Sequence, residues 1–289
     1  IPYDRSLTTM ADFTLCENCS GEYHNPLDRR FHAQPVACDR CGPQVWTESS
    51  NRPNSFHDEA IQTARQWIIS GNIVAVKGLG GYHLACDACN PQAVIELRRR
   101  KLRSQKAFAL MAYDLDAVEN NCYVSTEERE LLSSRQRPIV LLKRKPTSAV
   151  AFEIAPGQNT LGVMLAYTPL HLLLLEPGEG FPELLVMTSA NLAEEPIAYQ
   201  DEDAHHRLTK LADGFLLHNR QIHMRVDDSV ARIFQKNHYL LRRSRGRQTA
   251  GSRRPRWRPR CGPPGPGGAT RAHRARARPP CAGPTRRSG

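Results

Sequence analysis

Apolar residues recur at helical spacing between His57 and Ser70, where Ile61, Ala64, Trp67 and Ile68 share a face and Gly71 follows as a C-terminal cap. The pattern then changes to a β-branched run, Ile73 to Lys77, that ends in Gly78-Leu79-Gly80-Gly81 and predicts a buried strand followed by a turn. Asn90 and Pro91 read as the N-cap and first-turn proline of a helix through Leu102 that carries Val94, Leu97 and Lys101. Further along, the pattern predicts strands over 107–112, 138–142, 161–165, 184–187, 214–218, 229–234 and 239–242, and helices over 114–121, 126–134, 169–175 and 201–211. Strands alternating with helices predict an α/β fold, and the closing run of strands makes it an open, twisted mixed sheet with flanking helices. The longest apolar stretch, Leu161 to Leu175, is interrupted by Tyr167, Thr168, Pro169 and His171 and falls short of the ~20 residues of a membrane span.

Residues 12–46 differ in character, being short, loop-rich and punctuated by Cys, Pro and Gly, so they need a staple to fold. Cys16-x2-Cys19, eighteen intervening residues and Cys38-x2-Cys41 supply one. Two such knuckles turn four thiolates toward a single ion, and a closed four-sulfur shell leaves no position for an activated water, so the expected metal is a structural Zn²⁺. His24 and His32 lie between the knuckles and are alternative ligands. Residues 47–56 are polar with one proline and read as a linker to the domain over 57–246. Cys86-Asp87-Ala88-Cys89 is a second CxxC where a strand gives way to a helix, compatible with a redox dithiol or with incidental thiols. Nine cysteines, an odd number in a chain of 289 residues, argue against a disulfide framework and for a reducing cytosol.

A formal charge of +11 would suggest a nucleic-acid partner. The 12 arginines beyond residue 246 account for it: without them 28 bases face 29 acids. Residues 247–289 also contain 8 Pro and 7 Gly but no Ile, Leu, Val, Met or Phe, so the segment has too little to bury to repay the entropy of ordering and is expected to be disordered. The chain starts at Ile1 with Asp4 and Arg5 close behind, which reads as a fragment and not as a signal peptide.

Three groups of residues could handle an anion. Lys101, Arg103 and Lys106 fall where a helix runs into a strand; they form either a solvated basic face at a helix C-terminus or a site for a triphosphate. Thr188, Ser189 and Asn191 follow an apolar strand, either as turn residues or as ligand contacts beyond a strand end. Asp227 and Asp228 precede one strand, and Arg242-Arg243-Ser244-Arg245 follows another. Lys77 and its glycines match neither phosphate-loop spacing.

Together these strings resemble the HypF family, the carbamoyltransferases of nickel-iron hydrogenase maturation. The finger resembles the family's second zinc finger through Cys16-Glu17-Asn18-Cys19, Asp28 to Pro35 and Cys38-Asp39-Arg40-Cys41-Gly42-Pro43. Residues 57–246 resemble its YrdC-like domain through Lys77 to Leu84, the Lys101/Arg103/Lys106 stretch, Thr188 to Asn191, Val226 to Ser229 and Arg242 to Gly246, while residues 1–11 resemble the connection between its two fingers. The family pattern stops at residue 246, and the Arg/Pro/Gly/Ala composition that follows is what out-of-frame translation of a GC-rich gene yields.

The resemblance implies that this part of the family protein joins carbamate, derived from carbamoyl phosphate, to ATP as carbamoyl adenylate with loss of pyrophosphate. The acylphosphatase-like and carbamoyl-transfer domains, and delivery to a cysteine of HypE, belong to other parts. It further implies Lys101, Arg103 and Lys106 on phosphates, Ser189 and Asn191 on phosphate or the metal shell, Lys77 and Thr188 beside the nucleotide, Arg243 and Arg245 closing the pocket, and Asp227 and Asp228 orienting Mg²⁺ or those arginines. The alternatives are a threonylcarbamoyl-adenylate synthase of the same fold, a double-stranded RNA-binding module and an inactive remnant; the near-neutral body does not favour RNA.

Overall fold

The computed structural model describes residues 4–192 and 195–244. Arg245 and the segment over 247–289 lie outside the described residues. A 3-10 turn at Arg5–Leu7 precedes α1 (Glu17–His24) and β1 (Val45–Glu48). Then follow α2 (His57–Ile69), β2 (Val74–Lys77), β3 (Tyr82–Asp87), α3 (Pro91–Arg100), β4 (Ala109–Ala112), α4 (Leu115–Asn121), β5 (Cys122–Tyr123), α5 (Thr126–Ser133) and β6 (Ile139–Arg144). After a 3-10 turn at Phe152–Ile154 come β7 (Thr160–Leu165), α6 (Pro169–Leu175), β8 (Leu184–Ser189), α7 (Asp201–Leu208), β9 (Gly214–His218), β10 (Val230–Phe234) and β11 (Asn237–Arg242).

The strands form one mixed sheet in the order β1-β9-β2-β3-β8-β4-β7-β6-β10-β11, with β5 on β6. The pairs β2/β9, β4/β7 and β6/β10 are parallel and the others antiparallel. Central strands are apolar on both faces because helices cover both. Ala75, Leu84, Leu110, Val163 and Val186 pack in one core, while Val74, Val76, Met111, Met164 and Met187 pack in the other with Ile61, Trp67 and Ile68 of α2 and Leu170 and Leu174 of α6. This two-sided burial is why the strands read as continuous apolar runs. Local chemistry sets the helix starts: Asn90 accepts from the Gln92 and Ala93 amides ahead of Pro91, Ser125 and Glu128 form a capping box, and Thr168 caps the helix that starts at Pro169. Gly214 is demanded by packing, since a Cβ there would lie 2.3 Å from the Trp67 ring.

Four elements escape the sequence pattern. The helix α1 lies in the segment read as loop, and β3 and β5 are strands that the periodicity did not separate from their neighbours. The fourth, β1, changes the architecture. Thr47 and Glu48, expected in a linker, pair antiparallel with Leu216 and Phe215 of β9, and Thr47 is fully buried. The Ser49 hydroxyl donates to the Asp213 carbonyl, so the finger runs directly into the edge of the sheet. Pairing with β9 and burial of Thr47 make a strand of a polar-looking sequence here.

Candidate functional site

The finger is built around its sulfurs. Cys16 is the N-cap of α1, and Cys38 to Cys41 form a tight turn in which the Cys41 and Gly42 amides donate to the Cys38 carbonyl at 3.2 and 2.7 Å. Gly42 is required there, because a Cβ would lie 2.7 Å from that carbonyl oxygen. The four Sγ atoms lie within 4.8 Å of one another, with Cys16–Cys38 and Cys38–Cys41 both at 3.7 Å. A tetrahedral ion with Zn–S bonds of ~2.3 Å requires sulfurs ~3.8 Å apart, which the two 3.7 Å pairs already meet, so the four residues fit zinc. His24 and His32 are not ligands: their rings pack on Tyr23, with centroids 5.1 and 5.0 Å from its ring. Arg5 staples the residues before the finger onto it through the carbonyls of Phe13, Gln34 and Val36.

At the other end of the domain, the chain between α3 and β4 carries Lys101, Arg103 and Lys106 along a cavity of about 690 Å³, a volume in the range that accommodates a nucleotide. Ser189, Asn191, Arg225, Asp227 and Arg242 also line it. Lys101, the C-cap of α3, is buried, and its ammonium donates to the carbonyls of Ser189 and Asn191 at 2.7 and 2.5 Å. The Arg103 guanidinium donates to Thr188 Oγ1 (3.2 Å) and the Ala107 carbonyl (2.7 Å), while its Nε is buried with no partner among the described residues. Ser189 Oγ donates to Asn191 Oδ1 at 2.7 Å, and Asn191 Nδ2 donates to the Glu195 carbonyl. The loop and the strand end thus form one hydrogen-bonded wall.

This wall concentrates positive charge at an energetic cost. Burial, with Arg103 and Lys106 nearby, pulls Lys101 down to about 7. Burial, with Arg98 and Arg242, pulls Arg103 down to about 10, and Arg103 is the main cause lowering Lys106. Glu195, the acid at the rim of this wall, is already paired with Arg207. Groups that destabilise each other's charge are stabilised together by a bound polyanion.

Placement separates the remaining sequence candidates. Lys77 does not join the wall. Its ammonium is buried between the Asp201 carboxylate and the His218 carbonyl, beside a different cavity. The glycines after it serve packing: a Cβ on Gly80 would lie 2.6 Å from Val226 and one on Gly81 2.7 Å from Ile197, so the turn accepts the chain that leads to Asp227 and Asp228. Arg242, the last residue of β11, lines the cavity, whereas Arg243, expected there, does not. Asp227 is exposed at the cavity, whereas Asp228 turns inward beside His83 and Tyr167, and its carbonyl receives the Arg242 guanidinium at 2.9 and 3.2 Å.

Arg98 escaped the sequence reading. It donates to the carbonyls of Arg103, Ser104 and Lys106 and to those of Glu153 and Ile154, at 2.5 to 3.3 Å, and its guanidinium, like that of Arg103, lies over the Phe108 ring. Within the run Arg98-Arg99-Arg100, composition does not distinguish it from its neighbours. In the second CxxC, burial pushes Cys86 up strongly and Cys89 up to about 11, the reverse of a redox dithiol. All seven described cysteines are free, and among the described residues no helix is long and apolar enough to cross a membrane.

Comparison with known proteins agrees with both parts. The Sua5/YciO/YrdC family model, described as telomere recombination, matches residues 66–244, and the HypF finger model matches residues 15–48. The carbamoyltransferase HypF of Rhodobacter capsulatus is 46% identical over 246 residues, which cover 85% of this chain and 32% of that protein. A crystal structure of full-length HypF in a phosphate- and nucleotide-bound form is similar with a TM-score of 0.78 and 48% identity, over 85% of this chain and 32% of that one. The HypF structure from T. kodakarensis gives a TM-score of 0.79 at 45% identity, over the same shares. This chain therefore spans about a third of the length of the relatives it matches.

Proposed function

The chain belongs to the Sua5/YciO/YrdC family and carries a HypF finger ahead of that domain; on this premise we propose that it is the adenylating part of a carbamoyltransferase, joining carbamate to ATP as carbamoyl adenylate and releasing pyrophosphate. The observation that carries the reading is the basic wall of the 690 Å³ cavity, where, among the described residues, Lys101, Arg103, Lys106, Arg225 and Arg242 face the acids Asp227 and Glu195, the latter already paired with Arg207. Nucleotide and phosphate binding by the full-length HypF relative supports it.

In this reading a carbamate oxygen attacks the α-phosphorus, the bond from that phosphorus to the α,β-bridging oxygen breaks, and pyrophosphate leaves with the electron pair. No side chain forms a bond to substrate, so the residues act by position and charge. Lys101, Arg103 and Lys106 neutralise the phosphates, Arg242 adds charge from β11, and Ser189 and Asn191 offer polar contacts at the end of β8. Asp227, exposed at the cavity, is suited to hold Mg²⁺ through water alongside the phosphates, as magnesium sites usually do. The ion would supply further neutralisation of the leaving group. Transfer to HypE, and the supply of carbamate from carbamoyl phosphate, would fall to the parts of the relatives that this chain does not span.

The test is ATP/pyrophosphate exchange by the purified chain, with carbamate compared against threonine plus bicarbonate. Exchange that requires carbamate and is lost in Lys101→Met supports the proposal. Exchange that requires threonine reassigns the chain to threonylcarbamoyl-adenylate synthesis, and absence of both exchange and ATP binding marks an inactive remnant.

A further inference from the structure

A smaller cavity of about 190 Å³ adjoins the basic one and shares Arg103, Lys106, Ser189, Asp227 and Arg242 with it. It is too small for a nucleotide but large enough for a group of a few heavy atoms. Its lining combines the basic Arg103, Lys106 and Arg242 with the acidic Asp227 and Asp228, on walls that are polar and apolar in about equal measure. Such a lining suits a ligand that is itself dipolar, with an anionic carboxylate and hydrogen-bond donors on one small frame.

Asp228 is held from several directions. His83 Nε2 lies 3.6 Å from one carboxylate oxygen, the Tyr167 hydroxyl donates to the other at 3.5 Å, and Arg242 fixes the backbone carbonyl. His83 is seated by Gly78, where a Cβ would lie 2.9 Å from Nδ1, and its ring packs edge-on against His171. Both carboxylate contacts are long, so the group keeps acceptor capacity among its roughly four lone-pair sites. Burial pushes Asp228 up, but His83, His171 and Arg242 outweigh it and hold the group below the usual carboxylate range. At neutral pH it is therefore an acceptor with no proton to give.

We infer that Asp228 is the specificity-determining residue of a small-acid subsite, accepting hydrogen bonds from the N–H groups of a carboxylate that carries them, and so distinguishing carbamate from its isostere acetate. The inference rests on the proposed function for the identity of the acid. Acetate has the same size and charge but a methyl where carbamate has an amino group, and it would leave the remaining acceptor sites of the Asp228 carboxylate without a donor. A site built around such an acceptor discriminates strongly against an analogue that lacks the donor.

The experiment is calorimetric titration of the whole chain, saturated with a non-hydrolysable ATP analogue, with ammonium carbamate, acetate and bicarbonate in parallel. The wild type is expected to prefer carbamate over acetate by about ten- to a hundred-fold, the range of a charge-assisted hydrogen bond. In Asp228→Ala the ratio collapses toward one. Reading a ratio cancels any general loss of affinity, and the isosteric Asp228→Asn, which removes the charge without removing the bulk, gives a second readout should the alanine variant fold poorly. Equal binding of carbamate and acetate by the wild type, or a preference that survives both substitutions, overturns the inference. A carbamate preference that depends on Asp228 without any ATP/pyrophosphate exchange would leave the subsite standing and refute the proposed reaction instead.

Discussion

Raising the pH from 7 to 9 is expected to weaken ATP binding by about 50-fold, because Lys101 loses its proton over that interval in the free protein and regains it when phosphate arrives. The two acceptors of Lys101 are neutral carbonyls, and burial above all, with Arg103 and Lys106 as its charged neighbours in the wall, brings it down to about 7. A polyphosphate between these groups turns repulsion into attraction, so the bound-state value returns toward ~10.4. The sign follows: a group with the higher value in the complex favours binding fully below the free value and progressively less above it. Half-charged at pH 7 and about 1% charged at pH 9, Lys101 alone accounts for ~2.3 kcal/mol of binding free energy across the interval. Calorimetry at pH 8 in buffers of different ionisation enthalpy should therefore show uptake of about 0.9 proton per ATP bound. Lys101→Arg, charged at every pH used, should abolish both the slope and the uptake while retaining affinity at pH 7. Uptake near zero at pH 8, or a slope that persists in Lys101→Arg, would refute the argument and place the titrating group elsewhere.

Other outcomes follow from the same geometry. Purified protein should carry one zinc per chain by mass spectrometry, and Cys38→Ser, which removes the sulfur 3.7 Å from both Cys16 and Cys41, should lose it. Arg98→Ala leaves five backbone carbonyls around the 101–106 loop and the turn at 152–154 without their donor, so ATP affinity should fall by at least about ten-fold, with Arg98→Lys only partly restoring it because an ammonium lacks the fork. His171 is fully buried with neither ring nitrogen bonded among the described residues, and burial, with His83, holds it down to about 3. Its folded value lies below its unfolded one, so stability is lost as pH falls below ~6.5, by about 2 kcal/mol at pH 5. Urea unfolding of His171→Phe should show a smaller difference between pH 7 and pH 5 than the wild type, and an unchanged difference would exclude this origin.

Residues close in the chain carry their own instructions, and these were legible. The Cys-x2-Cys pairs, the Asn90-Pro91 helix start and the apolar runs of β2, β4, β7 and β8 each rest on spacing within a few residues, and so does the expectation of a mixed sheet between helices. Tertiary structure decided the rest. Thr47 became a buried strand residue because β9, some 170 residues away in sequence, lies beside it. Lys77 and Lys101 are both buried lysines near strand or helix ends, yet one meets Asp201 and the other meets two carbonyls and two cations, and only that second environment leaves charge seeking an anion. Arg98 is indistinguishable from Arg99 and Arg100 until the loop folds over it, and Asp228 acquires its role from His83 and Tyr167, more than 140 and 60 residues away in sequence. Hydrophobic period and capping are local and can be read along the chain. Burial, charge neighbours and the sharing of hydrogen-bond partners depend on which distant segments meet, and those decide which of the many basic and acidic residues form a site.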